Sequence, residues 1–131
     1  ADCGEDKYPY YEEKCTHIFN SIRKDLNLND VPVLVGGLGD FLENCDLDSK
    51  LKNYRYVNDA LLNMEKNNSW IGYVSAQGLT ANPDNLHFNA KSLREFGIRY
   101  YQKFCLIENK NKVYRAKECA FSKANTEMEK L

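Results

Sequence analysis

The chain has 131 residues, of which 43% are hydrophobic and 28% charged, and its formal net charge is -1. This length and composition predict one ordinary domain with a packed core and exclude wholesale disorder. A charge near zero gives no reason to expect nucleic acid or an anionic membrane surface as a partner, and no apolar run approaches the ~20 residues of a membrane span.

The first predicted elements are a helix over residues 10–26 and a strand over residues 31–37. The helix is predicted from apolar side chains that recur at steps of three or four residues: Tyr11, Cys15, Ile18, Phe19, Ile22 and Leu26. The strand is predicted from the short apolar run VPVLVGG, which is typical of a strand buried on both faces of a parallel sheet.

The same two patterns then repeat. Residues 51–66 carry apolar side chains at helical spacing and are predicted to form a second helix, and residues 69–79 are predicted to form a second buried strand with a turn behind it. Asn89 is predicted to cap a third helix over residues 90–104, in which Gly97 is expected to allow close packing.

The order helix, strand, helix, strand, helix predicts an α/β fold with parallel strands. Because two strands do not make a stable sheet alone, we expect further strands from a missing N-terminal part or from another chain. We divide the chain into a domain of residues 1–104 and a polar extension of residues 105–131. Within the extension, residues 113–121 are compatible with either a strand or a helix.

The five cysteines are scattered, at positions Cys3, Cys15, Cys45, Cys105 and Cys119. They form no CxxC pair, and with only two histidines in the chain they do not indicate a zinc site. We therefore expect free thiols in a reducing cytoplasm, and we predict neither a metal nor another cofactor. No signal peptide is evident.

One short loop combines an acid with a histidine, in the segment NPDNLHFNAKSLREFG that begins at Asn82. Asp84 precedes His87 by three residues, after the second predicted strand and before the third helix. Serine-type hydrolases need a histidine base and a carboxylate that orients it, and open α/β sheets place such groups at the carboxyl ends of their strands. The alternative is an Asp that caps a turn beside a surface His.

Three segments carry a resemblance to a known family: VPVLVGGLGDFL, YRYVNDAL and GLTANPDNLHFNAKSLREFGIRYYQKF. Over residues 10–104 the chain resembles the C-terminal half of SGNH-type carbohydrate esterases, in the sialate O-acetylesterase and acetylxylan esterase-like subfamily. The resemblance implies a flavodoxin-like three-layer α/β/α sandwich and an acetylated carbohydrate as substrate. It also implies that His87 is the catalytic base and Asp84 its carboxylate partner.

The chain departs from that family at its front. The family's nucleophilic serine lies in a G-D-S or G-Q-S block, and neither tripeptide occurs in this sequence. Asp2 is compatible with the final acid of the subfamily's Q-G-E-S-D-like block. The resemblance therefore implies part of a carbohydrate O-acetyl esterase whose serine and oxyanion donors lie upstream, with the missing N-terminal half or a second copy as partner.

Serines already present are weaker candidates for the nucleophile. Ser75 ends the second strand but lacks the glycines of a nucleophile elbow, and Ser92 stands in the first turn of the third helix. Cys45 lies in a polar, acidic loop that disfavours a reactive thiolate. Two alternatives to the esterase hypothesis stay open: a degenerate, non-catalytic esterase-like module that binds a glycan or a protein, and a flavodoxin-like binding domain in which the Asp-x-x-His spacing is coincidental.

Overall fold

A computed structural model describes the backbone of residues 8–128 and the side chains of residues 9–113. Helices and strands alternate along it: α1 (Tyr11–Asp25), β1 (Val33–Gly36), α2 (Tyr54–Asn67), β2 (Ile71–Val74) and α3 (Ala90–Met128). Short 3-10 helices occur at Tyr8–Tyr10, Asp40–Asn44 and Ser49–Asn53. The predicted order of helices and strands is confirmed, although both strands are shorter than the apolar runs that indicated them.

The two strands pair in parallel, in a register that runs from Val33 opposite Ile71 to Gly36 opposite Val74. The expected parallel pairing is confirmed, and the fold is α/β with a small two-stranded sheet. Because the part of the chain described here holds two strands, the larger flavodoxin-like sandwich stays a prediction.

One face of this sheet packs against α1 and α2. Side chains alternate between the faces of a strand, so Val33, Val35, Ile71 and Tyr73 point to the same side. Val35 and Ile71 share a buried cluster with three side chains of α2, namely Val57, Leu61 and Met64. The first turns of α1 cover this cluster only partly, through Tyr11, Cys15 and Phe19. The main core therefore lies between α2 and the sheet.

The opposite face packs against α3 at very short range. A side chain added at Gly72 would meet Ile107 and Lys103 of α3, and one added at Gly36 would meet the ring of Tyr100. Glycine on this face of each strand therefore lets α3 lie directly on the sheet. A salt bridge of 2.7 Å between Lys103 and Glu65 then joins α3 to α2 beside β2.

The third helix is far longer than predicted. It continues past residue 104 to Met128, so residues 113–121 have a helical backbone. Ile107, just beyond the predicted domain boundary, is buried. The polar composition of this stretch hid the continuation, because a helix keeps its backbone hydrogen bonds even where its faces are charged. The division at residue 104 stays a prediction.

The expected role of Gly97 is wrong. Gly97 lies on the exposed side of α3, and a side chain added there would meet nothing within 4 Å among the residues described. The close approach between helix and sheet uses Gly36 and Gly72 of the strands instead. Within the described residues, no helix is both long and apolar enough to cross a membrane.

Candidate active site

The predicted acid–histidine pair lies in the loop that joins β2 to α3, beyond the carboxyl end of β2. Nδ1 of His87 lies 2.8 Å from Oδ2 of Asp84. This distance is within the range of a strong hydrogen bond between an imidazole and a carboxylate. The expected contact between the two side chains is therefore present.

The other carboxylate oxygen of Asp84 stabilises the turn itself. Oδ1 accepts hydrogen bonds from the backbone N–H groups of Leu86, at 3.0 Å, and His87, at 3.1 Å. Short acidic side chains commonly close turns in this way. The two interpretations of Asp84, turn cap and histidine partner, therefore hold at once because they use different oxygens.

These contacts keep Asp84 ionised. The hydrogen bond to His87 contributes most, and the two backbone N–H groups add to it, so the pKa of Asp84 falls to about 2. An ionised carboxylate only accepts hydrogen bonds, which means that Nδ1 of His87 carries the proton. Nε2 is then the ring nitrogen with a free lone pair, as a general base requires.

The imidazole is open to solvent. The side chain of His87 is 70% exposed, and that of Asp84 is 42% exposed. Among residues 9–113, whose side chains the structure describes, none forms a hydrogen bond with Nε2 of His87. The geometry therefore presents a basic nitrogen on the outer surface of the loop, with room for a reacting group beside it.

Aromatic packing anchors the loop beneath the histidine. The ring of Phe88 lies edge-on to Phe41, with 5.0 Å between ring centroids, and 5.3 Å from the ring of Phe96. Asn85 takes a left-handed conformation with φ of 51°, which asparagine tolerates better than most residues. The loop is thus attached to the fold by Phe88, while its polar tip faces outward.

The structure brings no candidate serine to the histidine. Ser75 accepts a hydrogen bond from the N–H of Gln77 at 3.2 Å and also bonds to the hydroxyl of Tyr73, whose pKa is raised chiefly by burial. Ser92 is buried against Thr80. Within the described residues, no serine hydroxyl shares a hydrogen bond with His87.

The surroundings of Cys45 are apolar. Its sequence neighbours are polar, yet Cys45 is buried in a second cluster with Leu42 and Tyr54. Burial in an apolar cluster removes this thiol from contact with a substrate. Cys15, Cys45 and Cys105 are free thiols. Asp2 and Cys3, with the block suggested for them, lie outside the described residues.

Several positioning contacts were not predicted from the sequence. The side chain of Asn58 in α2 both donates to the carbonyl of Leu38 and accepts from its N–H, which clamps the turn after β1. Arg99 of α3 donates through one nitrogen to the carbonyls of Ser75 and Gln77, at 3.0 and 2.9 Å. Arg99 lies in the segment GLTANPDNLHFNAKSLREFGIRYYQKF, but the sequence alone does not say which carbonyls the guanidinium meets.

No cation site accompanies the pair in the described residues. Groups of three or more His, Cys, Asp or Glu side chains suited to holding a metal ion are absent from that part of the chain. The chemistry available from the described residues is proton transfer at His87, supported by the carboxylate of Asp84.

Comparison with known families gives one result. A family model described as carbohydrate esterase, sialic acid-specific acetylesterase matches residues 1–106. The match covers α1, β1, α2, β2 and the part of α3 up to residue 106, and it includes the loop that carries Asp84 and His87. Comparison with curated proteins gives no match.

Proposed function

Because the chain belongs to the carbohydrate esterase family of sialic acid-specific acetylesterases, we propose that it supplies the general base of an O-acetyl esterase. In this proposal His87 is the base, Asp84 is its carboxylate partner, and an acetylated carbohydrate is the substrate. The observation that carries the proposal is the 2.8 Å contact between Nδ1 of His87 and the carboxylate of Asp84.

The proposed reaction begins with a serine that precedes residue 1 in the complete enzyme. Its hydroxyl oxygen attacks the acetyl carbonyl carbon while Nε2 of His87 takes the hydroxyl proton. The tetrahedral intermediate collapses when the imidazolium returns that proton to the departing sugar oxygen. Water, activated by the same nitrogen, then releases acetate from the acetyl-serine and restores the enzyme.

Asp84 has two tasks in this scheme. Its carboxylate holds the proton on Nδ1, so that Nε2 is free to accept a proton from the serine. It also stabilises the positive imidazolium that forms in the transition state. The low pKa of Asp84, about 2, supports both tasks because the carboxylate stays charged throughout the range in which proteins are stable.

The complete enzyme, with its preceding segment, provides the test. We expect His87→Ala to abolish acetate release from an O-acetylated sialic acid, since the base is gone. We expect Asp84→Asn to lower kcat by about 10⁴-fold, because an amide presents the wrong partner to the imidazole. His17→Ala is the matched control, because His17 is the other histidine of the chain and lies exposed on α1.

The acetate release of the His87→Ala variant decides whether His87 is the general base. Folding of each variant is checked by circular dichroism, so that a lost activity reports on chemistry. Acetate release that survives His87→Ala in a folded enzyme refutes the assignment of the base.

A second function is compatible with the same geometry, because no serine hydroxyl of the described residues reaches His87. On this alternative the module binds a glycan or a protein partner without cleaving it. Titration with acetylated sialic acid, followed by calorimetry and by acetate release, separates the two functions. Binding without release by the complete protein supports the non-catalytic module.

A further inference from the structure

The side chain of Asn89 ties together the two ends of the loop that carries His87. Its Nδ2 group donates to Oγ1 of Thr80 at 2.6 Å and to the carbonyl of Ala81 at 3.2 Å. Its Oδ1 accepts from the N–H of Ser92 at 2.9 Å, and its own N–H donates to the carbonyl of Thr80 at 3.1 Å. Asn89 thereby joins the start of the loop, the end of the loop and the first turn of α3.

A buried hydroxyl completes this junction. Ser92 is only 4% exposed, and its Oγ accepts from the N–H of Thr80 at 2.8 Å. The same oxygen lies 3.1 Å from Oγ1 of Thr80. Thr80 is therefore held by both Asn89 and Ser92, and α3 fixes the point where the loop begins.

The junction extends to the histidine through the backbone. Ala81 and Phe88 form an antiparallel bridge, and the N–H of Asn82 donates to the carbonyl of His87 at 2.8 Å. His87 lies two residues before Asn89, and its side chain is 70% exposed. Through this bridge, the closure at Thr80 and Asn89 fixes the two ends of the turn that brings the ring of His87 to Asp84.

We propose that Asn89 is a positioning residue for His87, in addition to being the cap of α3. The proposal rests on the esterase function for its catalytic consequence, and on the contacts above for its structural part. The two roles use different atoms: Oδ1 caps the helix, and Nδ2 holds the loop. A variant that keeps the acceptor and loses the donors separates them.

Asn89→Ser is that variant. Serine is among the best cap residues, so the bond from the N–H of Ser92 is retained and α3 is preserved. A single short hydroxyl does not replace two donors aimed at Thr80 and Ala81. Thr80→Val removes the Oγ1 acceptor from the other side of the contact. We expect the effects of these two changes to be non-additive, because they break the same interaction.

The first readout needs no enzymatic activity. NMR of the Asp84 carboxyl carbon measures the titration midpoint of Asp84, whose pKa is lowered to about 2, chiefly by the hydrogen bond to His87. We expect Asn89→Ser to raise that midpoint, because the imidazole is no longer held against the carboxylate. Asp48→Ala is the matched control: it removes a cap at the Ser49–Asn53 turn, where Asp48 accepts from the N–H of Lys50. This control should leave the Asp84 midpoint unchanged.

The second readout is kcat of the complete enzyme. Misplacing a catalytic group by about 1 Å costs on the order of 10²-fold, so we expect Asn89→Ser to lower kcat by 10- to 100-fold with KM nearly unchanged. A folded Asn89→Ser variant with the wild-type Asp84 midpoint and kcat overturns the proposal, and Asn89 is then a cap only. Should Asn89→Ser not fold, Thr80→Val is judged by the same two measurements.

If the proposed esterase function is wrong, the measurements give a different combination of results. Asn89→Ser then still shifts the titration midpoint of Asp84, while the wild-type enzyme releases no acetate or His87→Ala keeps its full activity. That combination supports the structural part of the proposal and rejects the catalytic role of His87.

Discussion

Asp84 shows how one short side chain can serve a turn and a histidine together. Three residues separate Asp84 from His87, and the backbone between them curls so that one carboxylate oxygen meets two N–H groups. The second oxygen is left facing the imidazole. The turn thus orients the carboxylate before any substrate arrives, which is the kind of preorganisation that acid–base catalysis uses.

The first prediction at this scale concerns the pH dependence of stability. The pKa of Asp84 is lowered to about 2 in the folded state from an ordinary value of 3.8. The unfolded chain therefore binds more protons than the folded chain between these values, and the free energy of unfolding falls as pH falls through this window. Above about pH 5 the contribution of Asp84 is fully present.

His87→Ala tests the cause of that shift. Without the imidazole, the Asp84 midpoint should rise toward 3.8 but stay below it, because two backbone N–H groups still donate to the carboxylate. NMR titration of the carboxyl carbon in both proteins measures the difference. An unchanged midpoint in the variant would mean that the turn alone accounts for the lowered pKa.

At the scale of the elements, α3 organises the site. Its first turn fixes the start of the loop through Ser92, and Arg99, further along, holds the carbonyls that follow β2. Its buried side approaches the sheet closely because glycine stands at Gly36 and Gly72. The position of the loop that carries Asp84 and His87 therefore depends on how closely α3 lies against two strands.

A matched pair of glycine substitutions tests this packing. In Gly72→Ala the added methyl group would lie 2.5 Å from Ile107 and 2.8 Å from Leu34, so we expect a loss of about 1–3 kcal/mol in the free energy of unfolding. In Gly97→Ala the added methyl group meets no atom within 4 Å among the described residues, so we expect the free energy of unfolding to rise by about 0.5–1 kcal/mol, because alanine favours a helix over glycine.

Urea unfolding measures both changes in the free energy of unfolding, provided that the variants and the wild type have equal m-values. The free energy of unfolding is expected to fall in Gly72→Ala and to rise in Gly97→Ala. A stabilising effect of Gly72→Ala would show that α3 does not press on the sheet as described.

At the scale of the molecule, the described residues leave apolar surface uncovered. α1 has no fully buried residue, and it exposes Ile18 and Ile22, with Leu26 exposed just after its end. The two-stranded sheet also leaves the outer edge of β1 without a partner strand in residues 8–128. Exposed apolar side chains and unpaired strand edges are typical of surfaces that associate.

We therefore predict that the isolated 131-residue chain self-associates. Sedimentation velocity should show a weight-average mass that rises with protein concentration. The double change Ile18→Gln and Ile22→Gln should reduce that rise by removing apolar surface, whereas Asn20→Gln, at an exposed polar position of the same helix, should not. A concentration-independent monomer would contradict the prediction.

The amino-acid sequence by itself determined the order of the helices and strands, the parallel pairing and the Asp84–His87 contact. Apolar periodicity identifies an amphipathic helix or a buried strand locally, and a contact between residues three apart is settled by the turn that joins them. The cap at Asn89 was predicted for the same reason, since its acceptor serves an N–H group three residues away.

The tertiary structure alone decided the contacts that join distant segments. Cys45 is buried despite its acidic neighbours because Leu42 and Tyr54 pack against it. Gly97 lies on the side of α3 that faces away from the sheet, and the glycines at the contact between α3 and the sheet are Gly36 and Gly72 of the strands. The donors of Asn89 and Arg99 meet acceptors that lie several turns of chain away, at Thr80, Ala81, Ser75 and Gln77. Such contacts depend on which faces meet, and the local pattern around a residue does not contain that information.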